Sequence, residues 1–233
     1  MRLDKFLSVT GYASRSEGTK AIRSGKVTVN GQVPKKGDVN IDPEKDIIVF
    51  NGERIVYSEF TYILMNKPEG VVSATDDPNE KTVVDLLPER LGKLGLFPCG
   101  RLDKNTVGLI VLMNNGPLSH KVLSPKHHVE KEYYFKSKFP ISEDDVKRLE
   151  EGVDIGGYVT APCKVRITGE KEGRIILTEG KYHQIKLMLT AVHNQITFLE
   201  RVRFHKITLP ETLGRGEWRY LTEDEIKSLT EHN

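Results

Sequence analysis

Five consecutive apolar residues, Leu109-Ile110-Val111-Leu112-Met113, open directly out of the polar loop Gly100-Arg101-Leu102-Asp103-Lys104-Asn105-Thr106-Val107-Gly108 and close on Asn114-Asn115-Gly116. An apolar run of this length between turn residues reads as a buried strand, so the fold must supply it with sheet neighbours and cover. Tyr62-Ile63-Leu64-Met65-Asn66 reads as a second such strand, running into the turn Lys67-Pro68-Glu69-Gly70, and Val71-Val72-Ser73 as another. Tyr133-Tyr134-Phe135 has strong strand propensity. Helices punctuate these strands. Ser142 to Asp145 caps one that runs to Glu151 ahead of Gly152, Ile185, Leu189 and Val192 recur at helical spacing, and Thr222-Glu223-Asp224-Glu225 caps the last. The expected class is therefore α+β, with helices packed on a mixed, mainly antiparallel sheet. No Gly-rich phosphate loop, internal repeat or low-complexity tract interrupts the pattern.

The first quarter of the chain is organised differently. Leu3, Phe6 and Leu7 define a short amphipathic helix closed by Gly11, and Ser14-Arg15-Ser16-Glu17 is a capping box for a second helix that stops at Gly25. Val27-Thr28-Val29 then leads to Asn30-Gly31, a pair suited to a two-residue hairpin turn, with Val33 beginning the return strand. Ile47-Ile48-Val49-Phe50 ends in a second Asn-Gly pair, and the polar stretch Tyr57-Ser58-Glu59 marks the expected boundary between a domain of residues 1–58 and one of residues 59–233.

A formal net charge of +2 is too small to argue for a nucleic-acid partner, but its distribution is uneven. Residues 1–36 carry Arg2, Lys5, Arg15, Lys20, Arg23, Lys26, Lys35 and Lys36 against Asp4 and Glu17, which suits phosphate neutralisation. The reading from charge alone leaves a solvated helix face open as the alternative. Other classes are excluded more firmly. No stretch approaches the ~18 apolar residues of a membrane span, and Met1-Arg2-Leu3-Asp4-Lys5 does not begin a secretory signal, so a cytoplasmic protein is expected. Cys99 and Cys163 fit neither a disulfide framework nor zinc spacing. His127-His128 lacks the further ligands that a metal site requires.

The loop before the apolar run is the candidate site. Arg101 and Lys104 flank Asp103, and neighbouring cations favour an ionised carboxylate, the state that a nucleophile or base needs. On spacing alone, a charged surface turn is an equal alternative.

The whole set of motifs resembles a known family. Gly100-Arg101-Leu102-Asp103, with Thr106-Val107-Gly108-Leu109 following, looks like the catalytic motif of pseudouridine synthases. Tyr62 through Gly70 resembles the family's opening motif, Lys131-Glu132-Tyr133 its second, and Glu179-Gly180-Lys181-Tyr182-His183-Gln184-Ile185-Lys186 its third. The N-terminal segment, with Arg2-Leu3-Asp4-Lys5-Phe6-Leu7, Ser14-Arg15-Ser16 and Gly25-Lys26-Val27-Thr28-Val29-Asn30-Gly31, resembles a small helix-helix-hairpin RNA-binding domain found in a ribosomal small-subunit protein and several RNA-modifying enzymes. With the tail Leu213 to Leu221, the likeness points to the RsuA-like branch.

That resemblance implies an isomerase converting a uridine of ribosomal RNA to pseudouridine with no cofactor and no metal. Asp103 would be the reacting carboxylate, by attack at the sugar, by eliminating a glycal, or by addition to C6 of uracil. Tyr133 would stack on the uracil, and Lys186 would pair with the aspartate. Arg101 would serve the RNA backbone and base flipping, and Lys181, His183 and Gln184 would line the RNA groove, His183 being equally suited to a helix cap. Arg2, Lys5, Arg15, Lys20, Arg23 and Lys26 would contact RNA through the first domain. Two positions depart from the pattern: Leu187 replaces a second basic residue, and His193 a glycine. Ser73 to Pro78 and His127 to Lys131 look more like 16S-directed members, so small-subunit rRNA or an assembly intermediate is the expected partner of a monomeric enzyme. The rivals are a synthase acting on 23S rRNA, a noncatalytic ribosome-assembly factor, and a hydrolase that releases a free base.

Overall fold

Apolar residues at i, i+3 and i+4 bury one face of α1 (Leu3–Val9), where Leu3, Phe6 and Leu7 are all but inaccessible. Helix α2 (Arg15–Arg23) begins at the capping box: Ser14 Oγ accepts the Glu17 N–H at 3.3 Å, and the Glu17 carboxylate accepts the Ser14 N–H at 2.8 Å. It ends where Gly25 adopts a φ of +74°. Three short strands follow, β1 (Val27–Val29), β2 (Ile48–Phe50) and β3 (Glu53–Ile55), paired antiparallel in that order. Their inward residues Val27, Ile48 and Ile55 join Leu3, Phe6, Leu7 and Ile22 in one core. A short helix from later in the chain, α3 (Glu89–Gly92), belongs to the same unit, with the Arg90 guanidinium over the Tyr12 ring at 4.9 Å.

One hairpin is built differently from the expectation. Asn30 and Gly31 take the left-handed conformations of a tight turn (φ 52° and 80°), but Val33 does not begin a return strand. Beyond the single bridge Val29–Gln32, the chain meets Pro34, which has no N–H to donate, and Val33 is left exposed. β1 pairs instead with β2, in the register Val27–Phe50 and Val29–Ile48. The two-residue hairpin sits one strand later, where Asn51 and Gly52 (φ 49° and 84°) join β2 to β3.

The structure, a computed structural model, describes residues 1–231. These form two units: Met1–Thr61 with Leu87–Leu96, and Tyr62–Leu86 with the chain from Phe97 onward. The second unit is organised around one sheet. Its strands are β4 (Tyr62–Lys67), β5 (Phe97–Cys99), β6 (Val107–Met113), β7 (Lys131–Ser137), β8 (Lys164–Gly169), β9 (Glu172–Leu177), β10 (Ile196–Phe204), β11 (Ile207–Thr208) and β12 (Trp218–Tyr220). The main path runs β12-β4-β6-β10-β7-β9-β8, with β5 alongside β6 and β11 alongside β10. Among the named strands of the described residues only the β6–β10 pairing is parallel, so the sheet is mixed and mainly antiparallel.

The apolar run of the sequence is the middle of this sheet. β6 has β4 on one side and β10 and β5 on the other, and all seven of its residues are buried. Four helices accompany the strands: α4 (Gly116–Leu123), α5 (Glu143–Glu151), α6 (Gln184–Ala191) and α7 (Glu223–Thr230). Ser142 and Thr222 cap α5 and α7 through capping boxes, and Gly152 follows α5 with a φ of 107°. Leu118 and Val122 of α4 and Leu229 of α7 close one core with Leu109, Val111 and Met113 of β6. Val71-Val72-Ser73 is not a strand: Val72 makes an isolated parallel bridge to Thr82, and the Ser73 hydroxyl is drawn to Leu102. No helix among the described residues is long and apolar enough to cross a membrane.

Candidate active site

Asp103 sits in the turn that enters β6, and the backbone of that turn is clamped from two sides. Ser73 Oγ accepts the Leu102 N–H at 3.0 Å and donates to the Leu102 carbonyl at 2.8 Å. From β4, the Lys67 ammonium reaches the carbonyls of Pro68, Asp103 and Lys104, each at 3.1 Å, and that of Thr106 at 2.9 Å. The Gly70 N–H binds the Lys104 carbonyl at 3.0 Å, and the Thr106 N–H closes the turn on the Asp103 carbonyl at 3.0 Å. Lys67 is fully buried, so its charge is satisfied by carbonyl oxygens instead of water. Sequence reading placed Lys67 in a motif but did not single it out. Its signal was a lysine ending a strand whose first four residues are apolar or aromatic.

Burial pushes the Lys67 ammonium down to about 8, an effect that Asp103 and Glu69 partly oppose. Replacing Lys67 by Met leaves the clamp without its donor. The expected cost is about 1–3 kcal/mol of unfolding free energy. The pH dependence carries a sign. Between about 8 and the ordinary value of 10.5, the unfolded chain holds a proton that folded Lys67 has released, so this group makes stability rise with pH across that window. Denaturant unfolding from pH 7 to 10.5 checks this: the Lys67→Met variant should be less stable throughout and rise less steeply, and an unchanged slope would contradict the assignment.

The carboxylate meets two basic side chains from the region of α6. Lys186 Nζ lies 2.6 Å from Asp103 Oδ2, and His183 Nε2 lies 3.6 Å from Oδ1. About a quarter of the Asp103 side chain remains accessible, enough for a ligand to reach it (26%). The cations next to Asp103 in sequence are not its partners. Lys104 is paired instead with Glu80, at 2.7 Å. Arg101 is exposed and free to meet a ligand.

His183 occupies the N-cap position of α6, yet its side chain caps nothing. It holds a left-handed backbone (φ 50°), which aims the imidazole at Asp103. Gln184, expected in the RNA groove, is buried. Its Nε2 donates to Glu179 at 2.6 Å and its Oε1 accepts the Lys181 N–H at 2.8 Å, so it braces the loop from within. Lys181 is exposed, its ammonium 4.2 Å over the Tyr158 ring. The departure at His193 has a backbone explanation. The position has a φ of 59°, which glycine adopts without strain and histidine at modest cost.

On β7, alternation separates the two tyrosines. Tyr133 shares the buried face with Lys131 and Phe135. Tyr134 faces the other way, donating to Glu172 at 2.5 Å and packing edge-on against Phe198, and that bond pushes its hydroxyl up to about 12. Tyr133 pairs with Arg201 of β10, and Arg201 pairs with Gly108 of β6, so Tyr133 stands two strand spacings, roughly 10 Å, from the start of β6. Gly108 is required there: a Cβ would come within 2.4 Å of the Arg201 carbonyl oxygen.

Arg201 was not anticipated. It is 1% exposed, donates from Nε to the Leu109 carbonyl at 2.6 Å and lies over the Phe204 ring, while its Nη2 has no partner in the protein. Lys131 is also buried, its ammonium held by the Val129 carbonyl and pushed down to about 8 by desolvation, with Arg201 adding repulsion. Lys67, Lys131 and Arg201 thus place three buried cations in the unit that carries Asp103, each bonded to backbone carbonyl oxygens.

Of the N-terminal cations, Lys5, Arg15, Lys20, Arg23 and Lys26 are exposed. Arg2 is also exposed, but its guanidinium is engaged by Asp4 through bonds of 2.8 and 3.0 Å.

Comparison with known proteins gives this arrangement its context. The family described as RNA pseudouridylate synthase matches residues 61–191, and the S4 domain matches residues 1–47. An uncharacterized RNA pseudouridine synthase of Bacillus subtilis (strain 168), YtzG, is 44% identical over 99% of both chains. Ribosomal small subunit pseudouridine synthase A of Escherichia coli (strain K12) is 36% identical over 98% of this chain and all of that one. A crystal structure of a pseudouridylate synthase aligns with a TM-score of 0.70 at 37% identity, covering 98% of this chain and 99% of the other. The chain belongs to the RNA pseudouridylate synthase family, an isomerase with an S4 domain at its N-terminus.

Proposed function

We propose that this enzyme isomerises one uridine of 16S ribosomal RNA, with Asp103 as the carboxylate that acts on the nucleoside. The observation that carries the reading is the Asp103–Lys186 pair at 2.6 Å, on a loop whose backbone is locked by Lys67 and Ser73. A preorganised carboxylate with a fixed cationic partner suits attack at a glycosidic centre. The target follows the relatives named ribosomal small subunit pseudouridine synthase A, which align with nearly the whole chain.

The chemistry balances without an added reagent. The C1′–N1 bond breaks, the freed uracil rotates, C5 bonds to C1′, the C5 hydrogen leaves as a proton, and N1 gains one. Attack at the sugar, glycal elimination and addition to C6 differ in how the first bond breaks, and each needs an ionised Asp103 within reach of an extruded uridine. In this scheme Tyr133 supports the uracil from the buried face of β7, Arg101 meets the phosphate backbone, and the exposed cations of α1 and α2 anchor the RNA. Water must be kept from the broken bond, because its attack would release uracil and not pseudouridine.

The test is a site-resolved pseudouridine map of 16S and 23S rRNA from cells with and without the gene. One 16S uridine should lose its modification on deletion and regain it with the wild-type gene. A change confined to 23S rRNA would overturn the small-subunit target, and no change in either would overturn the ribosomal reading.

A further inference from the structure

The loop between β9 and α6 presents an aromatic surface beside the carboxylate. The Tyr182 ring stacks on the His183 imidazole with centroids 3.9 Å apart and planes 17° from parallel, while His183 itself faces Asp103 at 3.6 Å. Tyr182 is 75% exposed, so the ring face away from His183 is open to a ligand.

The loop is built to hold that orientation. The Glu179 carboxylate accepts the Tyr158 hydroxyl at 2.6 Å, the Ala161 N–H at 3.0 Å and Gln184 Nε2 at 2.6 Å, and Gln184 in turn accepts the Lys181 N–H. Lys181 extends over Tyr158, so a second partly exposed ring and a cation adjoin the same loop. Alternating rings and cations on a rigid loop are the means by which proteins hold single-stranded RNA, the rings taking base faces and the cations the backbone.

We propose that Tyr182, backed by His183, is the stacking platform for the base of the nucleotide adjoining the target uridine, and that Lys181 and Tyr158 continue the same track along the strand. The inference rests on Asp103 marking the reaction centre. A uridine drawn out to Asp103 leaves its neighbour unstacked, and the open Tyr182 face lies one imidazole away from that carboxylate. Tyr182 is therefore a positioning residue: it does not touch the reacting atoms, and its contribution appears in binding.

The test uses full-length protein and C5-tritiated transcripts of both 16S and 23S rRNA, with tritium release giving kcat and KM separately. Tyr182→Ala should raise KM about tenfold while leaving kcat within about twofold, and Tyr182→Phe should behave like wild type. Binding of RNA oligonucleotides carrying 2-aminopurine on either side of the reactive uridine supplies a readout that a merely structural role would not move. Quenching should occur on one side with wild type and Tyr182→Phe and be lost with Tyr182→Ala. Unchanged KM in Tyr182→Ala, or quenching that persists without the ring, would overturn the platform. Asp103→Asn separates the two assignments: if it retains turnover, the reaction centre is misplaced, whereas if it is inactive and Tyr182→Ala binds like wild type, only the platform fails.

Discussion

Asp103→Asn is expected to lower tritium release from C5-labelled uridine RNA by at least about a thousandfold while leaving RNA affinity within a few-fold of wild type. The substitution keeps the size and shape of the side chain but removes the charge on which the proposed chemistry depends. It also leaves the clamp intact, because Lys67, Gly70 and Thr106 bind the main chain around Asp103 and not its carboxylate. In the proposed scheme RNA affinity comes from exposed cations such as Lys5, Arg15, Lys20, Arg23 and Lys181, none of which is paired with this carboxylate. Filter binding and tritium release on the same transcript check both halves of the prediction. Turnover near wild type would remove Asp103 from the chemistry.

Lys186→Met is expected to lower kcat on the order of a hundredfold with little change in KM. Lys186 is the one side chain within close hydrogen-bonding distance of the carboxylate among the described residues, and methionine keeps much of its length and packing while deleting the ammonium. The pair is partly open to water, at 32% and 26% side-chain exposure, so the loss of folding stability should stay below about 1 kcal/mol. A large fall in kcat with little change in stability separates a role in the reaction from one in folding. Lys186→Arg should recover part of the rate, since the charge returns on a wider, planar group. Single-turnover rates and thermal melts of the three proteins decide the matter, and a Lys186→Met enzyme with wild-type kcat would contradict the role.

Much of this architecture was legible in residue order because local physics and tertiary structure agree there. Ser14, Ser142 and Thr222 each begin a helix through the capping box that their sequences spell out. The apolar run Leu109–Met113 is buried on the central strand that such a run demands. β10 shows the opposite case. It lies between β6 and β7, yet it carries Glu200, Arg201 and Arg203, and two register shifts break its alternation, so no clean period-2 pattern survives in its sequence.

The site was legible through its motifs, which also gave the pairing of Lys186 with Asp103, whereas its other contacts were not. Proximity in sequence suggested Arg101 and Lys104 as the cations around Asp103, whereas the turn sends Lys104 to Glu80, and α6 and its N-cap bring Lys186 and His183 from 80 or more residues away. Gln184 looked like an RNA contact because it is polar and lies within a motif, and only its bonds to Glu179 and Lys181 reveal an internal brace. Lys67 and Arg201 are hidden for a related reason: a buried cation is costly unless carbonyls are assembled around it, and that assembly is a property of the fold.

The central claim is that a carboxylate held at the nucleoside breaks the glycosidic bond and returns the base through carbon. Mass-resolved nucleoside analysis of an rRNA transcript after incubation with the protein measures this directly. The account predicts pseudouridine at one position, an RNA of unchanged mass and no free uracil, with none of the isomer formed by Asp103→Asn. Released uracil with an abasic site, or pseudouridine formed without the Asp103 carboxylate, would contradict it.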